Sequence, residues 1–304
     1  MAKPTTLEID IRNQVGLVWF NRPEIHNALN DVVLKELTAA LPATPTLDLR
    51  RDGPVARVFL NRPDVRNAFN DGVIAELRET FTTLGADAGL RAIVLGGHGK
   101  AFCAGADLTW MRAMADYSWE QNRADAQALA DMLWAVYSCP VPVVGRIHGD
   151  CYAGGVGLAA VCDVLVASDA AAFCLSEARL GLLPGTISPY VIRALGEQAS
   201  RRYMVTAERF TATQAHALGF VHEVCPADAL DTKVDEVVAA LVANGPMAAR
   251  ACKRLVQDIA GQPITTALRE ETARRIADIR ASDEGREGVQ AFLAKRKPAW
   301  LEPG

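Results

Sequence analysis

A chain of 304 residues, half of them apolar and 22% charged, is long enough to bury a sizeable core, and its formal net charge is only −4. That near balance sets up no general field for nucleic acid or for an anionic membrane surface. The seven cysteines are odd in number, scattered and never in a C-x-x-C pair, so they point to neither a disulfide framework nor a zinc site, and they read as small buried apolar groups in a reducing compartment. The first twelve residues hold no apolar leader, and the most apolar run, Val156 to Ala167, is too short to span a bilayer and carries Asp163. A soluble cytoplasmic protein is expected.

In chain order, an internal repeat comes first. Leu7 to Leu41 and Leu47 to Phe81 align without a gap, and the core N-R-P-x-x-x-N-A-x-N-D occurs at Asn21 to Asp31 and again at Asn61 to Asp71. Each copy predicts a strand (Val15 to Phe20; Val55 to Leu60), an Asn-Arg-Pro turn and a helix opened by Asn-Asp. A solenoid needs three or more units, so two copies read as a segmental duplication. The second copy leads straight into the next elements, which makes residues 1–45 an appendage and starts the α/β core at 46.

From Leu90 onward strands and helices alternate, as in an α/β fold with parallel pairing. Strands are predicted at Arg91 to Leu95, Val143 to Ile147, Val164 to Ala167 and Ala172 to Leu175. Helices are predicted at Trp119 to Ser138, Gly155 to Cys162, Pro189 to Leu195, Glu197 to Thr206 and Thr213 to Leu218. Past Pro226 the pattern is helical only, at Ala227 to Asn244, Met247 to Ile259 and Thr265 to Ser282, and the chain ends in the basic tip Lys295-Arg296-Lys297. Residues 46–226 therefore form the core and 227–304 a helical region.

Three stretches bear on chemistry. The loop Gly96 to Leu108 is rich in small residues, Ala104, Gly105 and Ala106 among them. It is either a place where backbone amides converge on a ligand or an ordinary strand-to-helix turn. In Tyr152 to Leu158, Gly154 and Gly155 stand where a strand hands over to a helix, and amides from two such loops can form an oxyanion hole; the spacing is not that of a dinucleotide fingerprint. Glu177 lies among apolar neighbours as a desolvated acid–base carboxylate, the partner of Arg179 or a solvated loop acid. The five histidines form no metal or triad pattern, and no serine sits in a G-x-S-x-G elbow. Trp110, Met111, Met114 and Trp134 read as an acyl pocket or as core.

The ordered set NRPDVRNAFN, GKAFCAGADL, YAGGVGLAAVCDVLVAS, FCLSEARLGLLPG, GEQASRRYMVTAERF and EGVQAFLAKRKP resembles the enoyl-CoA hydratase/isomerase (crotonase) superfamily over residues 47 to 300. FCLSEARLGLLPGTISPYV with RRYMVTAERF is similar to the methylglutaconyl-CoA hydratase-like enzymes of leucine and related acyl-CoA catabolism. The resemblance implies an α/β crotonase-like spiral of ββα units with a helical C-terminal trimerisation region, assembled as a homotrimer or homohexamer. It implies an acyl-CoA thioester substrate, coenzyme A entering only as part of that substrate, and no metal or other cofactor. The Cys103 and Gly154 N–H groups would hold the thioester oxygen and Glu177 would be the general acid/base. Cys103, Ala104, Gly105 and Ala106 would line the acyl path, Asp107 would brace the loop, and Arg66, Ala68 and Lys297 would lie along the CoA moiety, Lys297 as part of the basic tip, its CoA on the same or a neighbouring subunit. Typical hydratases carry two glutamates; here the first position is Gly157. Three functions follow as expectations: hydration of a 2-enoyl-CoA, double-bond isomerisation or another enolate-forming reaction, and non-catalytic acyl-CoA binding with the first copy competing for the second copy's place.

Overall fold

A computed structural model describes residues 6–12, 15–33, 36 and 45–301. The chain divides into two compact units, Met1–Pro45 and Thr46–Gly304. In the first, β1 (Leu7–Arg12) and β2 (Val15–Phe20) form an antiparallel hairpin in which Leu7 lies opposite Phe20. A 3-10 turn over Pro23–Ile25 follows, with His26 and Asn27 at positive φ. Asn30 Oδ1 accepts from the Val33 N–H, which opens a helix; its expected continuation beyond residue 33 lies outside the described residues apart from Glu36.

The second unit repeats that module. β3 (Leu47–Asp52) and β4 (Val55–Leu60) pair with Leu47 opposite Leu60, the 3-10 turn falls at Pro63–Val65, and Arg66 and Asn67 take positive φ. Helix α1 (Asp71–Ala86) is capped by the Asn70 side chain accepting from the Val73 N–H. Even single bonds recur: Arg22 N–H donates to Asn27 Oδ1 as Arg62 N–H does to Asn67 Oδ1, and Thr6 meets Glu36 as Thr46 meets Glu76. The duplication is thus structural, down to its left-handed residues.

After β4 the chain runs as a spiral, each turn giving one strand to a large sheet and one to a small sheet. The turns are β5 (Ala92–Gly97) with β6 (Ala101–Cys103), β7 (Val143–Ile147) with β8 (Asp150–Tyr152), and β9 (Val164–Ser168) with β10 (Ala172–Cys174). β11 (Arg209–Thr211) and β12 (Glu223–Cys225) complete the two sheets. The large sheet has the order β12-β9-β7-β5-β4-β3 and the small one β11-β10-β8-β6, parallel except for the β3–β4 and β10–β11 pairs. β5 is buried at every position, as a central strand covered on both faces must be.

The helices between the turns are α2 (Leu108–Met114), α3 (Trp119–Tyr137), α4 (Gly154–Ala160), α5 (Ser188–Leu195), α6 (Glu197–Thr206) and α7 (Ala212–Ala217). α8 (Leu230–Ala243), α9 (Pro246–Ile259), α10 (Thr266–Ala281) and α11 (Asp283–Leu293) form the helical C-terminal part. Among the described residues no helix is long and apolar enough to cross a membrane. β6 falls inside the stretch expected to be loop, and β8 is the strand expected to hand over to a helix at Gly154–Gly155. Three residues are too few to show alternation, and these take strand character from the neighbours they pair with.

Candidate active site

β6, β8 and β10 lie side by side and in parallel, with Cys103 opposite Cys151 and Cys174 opposite Tyr152. Adjacent strands are about 4.8 Å apart, so three carboxyl ends finish within a narrow span, the place where parallel sheets gather ligands. Each end hands the chain to one predicted segment: β6 to Ala104–Asp107, β8 to Ala153–Gly154, and β10 to Ser176–Glu177.

Glycines let the first two segments touch. A Cβ on Gly155 would lie 2.6 Å from the Cys103 carbonyl oxygen, and one on Gly105, at φ +92°, would lie 3.1 Å from Ala153 Cβ. Ala153 itself has φ 47° and ψ −117°, a strained conformation for a residue with a Cβ, held by its N–H donating to the Cys174 carbonyl at 2.8 Å. No side chain caps α4, and as its first residue Gly154 has no helical carbonyl to which its N–H can donate. The Cys103 thiol is fully buried, which pushes its pKa up to about 12, with the Gly105 N–H pulling the other way. It stays neutral, so the chemistry available at this residue is that of its backbone.

A second set of contacts builds the other wall. Residues 66–69 run beside 104–107: Ala104 N–H donates to Arg66 O, Phe69 N–H to Gly105 O and Asp107 N–H to Phe69 O, at 3.0, 2.7 and 2.8 Å. The Asn67 carboxamide, buried, donates to the carbonyls of His98 and Ala101. The Arg62 guanidinium donates to Ala68 O at 2.6 Å and to Asp107 Oδ2 at 2.8 Å, while Asp107 Oδ1 caps α2 by accepting from the Thr109 N–H. Burial works against the Asp107 charge, but the hydrogen bonds from Arg62 and from the Thr109 and Trp110 amides outweigh it and hold its pKa below the ordinary value. Arg62 and Asn67 were not singled out from the sequence, although the repeated motif contains both. Ala68 is buried, and the Arg66 side chain is exposed, its guanidinium 4.0 Å from Asp150 Oδ2.

Glu177 opens a 3-10 turn (Glu177–Leu180) closed by Gly181 at positive φ. Burial raises its pKa, opposed by its own N–H, and its Oε2 is buried without a hydrogen-bond partner among the described residues. Arg179 does not pair with it; that guanidinium donates to Ala207 O at 2.5 Å. Gly157, one turn along α4, packs against Ile187. The structure thus brings together Cys103, Ala104, Gly105, Ala106, Asp107, Arg66, Ala68 and Gly154, and sets Glu177 at the end of the neighbouring strand. Lys297 stands apart: it is exposed past α11, on a segment anchored by the Arg296–Glu287 ion pair and by the Trp300 indole donating to Ala243 O. Trp110 packs against the core, whereas Trp134 is 56% exposed. His216 and His222 bond the backbone at Val221 O and Leu165 N, and no group of three potential metal ligands occurs among the described residues.

Two sheets wound turn by turn from ββα units, closed by C-terminal helices, are the crotonase architecture. The chain belongs to the enoyl-CoA hydratase/isomerase family, whose profile matches residues 50–303. It is 33% identical over 228 residues to the enoyl-CoA hydratase ACTT6 of Alternaria alternata, which spans 74% of each chain. The crystal structure of an enoyl-CoA hydratase from Shewanella pealeana ATCC 700345 superposes with a TM-score of 0.81 at 39% identity, covering 84% of this chain and 96% of that one. An enoyl-CoA hydratase from Mycobacterium smegmatis gives 0.80 at 35% identity, covering 85% and 100%.

Proposed function

We propose that this protein adds water across the 2,3 double bond of a short, branched 2-enoyl-CoA thioester. The observation that carries the reading is the buried, unpartnered Oε2 of Glu177, held at the end of β10 next to the strand that leads to Gly154. The thioester oxygen accepts from the N–H groups of Cys103 and Gly154, a contribution of about 3–4 kcal/mol per donor as charge develops there. Glu177 takes a proton from water as its oxygen bonds to the β-carbon, and the same carboxyl returns that proton to the α-carbon, so H and OH are added and the glutamate ends as it began. Its raised pKa suits both halves of that exchange.

Arg66 and Ala68 lie along the coenzyme A moiety, with Cys103, Ala104, Gly105 and Ala106 along the acyl path and Asp107 bracing the loop. Lys297 meets the CoA phosphates of a neighbouring copy in a homotrimer or homohexamer. That assembly is supported by apolar side chains left exposed on α9 to α11, among them Val256, Ile276 and Phe292. The relatives named enoyl-CoA hydratase support the reaction class. The test is Glu177→Gln assayed by loss of the conjugated thioester: activity within a few-fold of wild type sinks the reading. Gly157 favours a second reading, double-bond isomerisation by one carboxylate. Product mass separates the two, since only hydration adds a water.

A further inference from the structure

Gly157 lies three residues past Gly154 and so on the same face of α4. Side chains on a helix lean toward its N-terminus, so a side chain at 157 would be carried toward the Gly154 amide. That space is already filled. A Cβ built on Gly157 would stand 2.1 Å from Ile187 Cγ2 and 2.6 Å from Ile187 Cβ. Those are the branch atoms of a β-branched residue, stiff at χ1, and not a flexible tip that swings aside. Ile187 is 2% exposed, and its carbonyl accepts from the N–H groups of Tyr190 and Val191 as α5 begins, which fixes its backbone. The loop that delivers it starts at Glu177, whose carbonyl accepts from the Leu182 N–H.

We propose that Ile187 is a specificity-determining residue: it occupies the volume a side chain at 157 would need, and so limits the site to the single carboxylate of Glu177, with an apolar wall beside the Gly154 amide. The proposal rests on the hydratase reading for its chemical half only. Water addition then depends on one group for both proton transfers, since α4 carries no acidic residue to hold or orient the water. Room for such an acid exists only if Ile187 is cut back.

Two experiments on the full chain test this. In the first, thermal unfolding is compared for wild type, Gly157→Ala, Ile187→Ala and the double variant. Glycine to alanine inside a helix ordinarily stabilises, so a lowered Tm for Gly157→Ala, largely recovered in the double variant, is the expected sign of the contact. A Gly157→Ala chain as stable as wild type, or a double variant that sums the single losses, overturns the packing claim. In the second, Gly157→Glu/Ile187→Gly is assayed for hydration against pH. The expected result is a new descending alkaline limb, from a second carboxyl that must be protonated, absent from wild type. A folded double variant with the wild-type profile overturns the role. If no chain hydrates an enoyl thioester while the stability coupling holds, the hydratase reading falls and with it the chemical half, and the packing of Ile187 against position 157 stands.

Discussion

The α-carbon of Gly155 approaches the carbonyl of Cys103 so closely that a Cβ there would lie 2.6 Å from the oxygen and 2.9 Å from the Cys103 Cβ. One of the obstructing atoms is backbone, so a methyl group cannot be absorbed by turning a side chain. Gly155→Ala is expected to push the β6 loop and the start of α4 apart, at a stability cost of about 1–3 kcal/mol. Displacing an amide donor by even about 1 Å costs on the order of 100-fold in turnover, and a loss of that size is expected with enoyl thioesters. Gly72→Ala is the control: its Cβ would meet only Asn70 Oδ1 at 3.5 Å, so melting temperature and turnover stay at or above wild type.

Glu177→Gln separates chemistry from stability. Turnover falls by about 10²- to 10⁴-fold, the usual share of a general acid–base group. The fold gains at the same time. Burial raises the Glu177 pKa, so the folded state binds a proton that the unfolded state has released; stability falls as pH rises through that interval and stays lower above it. Replacing the charge by an amide raises Tm at pH 7 to 8, by roughly 2–4 °C if the gain is about 1 kcal/mol, and the gain vanishes near the pH where an unfolded glutamate is protonated. Calorimetric scans of both chains at acid and neutral pH check the sign.

Asp107 titrates the other way. Its ion pair with Arg62, 2.8 Å long and largely buried, and its cap on Thr109 hold its pKa below the ordinary carboxylate value. The stability it contributes is present above the unfolded pKa and is lost as pH falls through the folded one. Asp107→Ala is expected to cost about 2 kcal/mol at pH 7, combining a lost cap with an unpaired Arg62, and the gap to wild type closes below about pH 4. Urea unfolding at a series of pH values measures it.

Much of this was legible in the residues. The repeat of N-R-P-x-x-x-N-A announced two copies of one module, and the strands at Val55–Leu60 and Val143–Ile147 fall where the apolar pattern put them, because each buries most of its length. What was not legible is non-local. Arg62 reaches Asp107 across 45 positions and Asn67 reaches Ala101 across 34, and nothing in either neighbourhood marks the partner. The choice between a desolvated Glu177 and a Glu177–Arg179 pair was open because it turns on Ala207, which takes the Arg179 guanidinium from 28 residues away. The reason for a glycine at 157 likewise sits on Ile187, in a different loop.

Arg66 tests the coenzyme assignment. Its side chain is 67% exposed, its closest carboxylate is 4.0 Å away, and its φ of 53° favours glycine. Among the described residues the guanidinium makes no hydrogen bond and only the long, exposed approach to Asp150, so Arg66→Gly is expected to leave Tm unchanged or slightly higher. If the group meets a CoA phosphate, KM for an enoyl-CoA rises about 3- to 10-fold with kcat nearly constant, as expected for a contact made equally in ground and transition states, and the difference shrinks as salt screens it. An unchanged KM at low salt removes Arg66 from the CoA path.

The bonds described above that position the candidate site, from those of Arg62 and Asn67 to the Ala153–Cys174 bond, run between residues of the second unit. The large hydrophobic clusters are likewise drawn from residues 47 onward. A chain beginning at Thr46 is therefore expected to melt as one cooperative unit and to turn over enoyl thioesters within about two-fold of the full chain, the margin that a few tenths of a kcal/mol allows. The duplicated module makes the comparison sharp, because its β2 strand carries the apolar residues Trp19 and Phe20 at 49% and 43% exposure where β4 has Phe59 and the buried Leu60. A ten-fold gain in turnover on removing residues 1–45 would show that the first copy competes for the place of the second, and a ten-fold loss would show that the first copy serves the site.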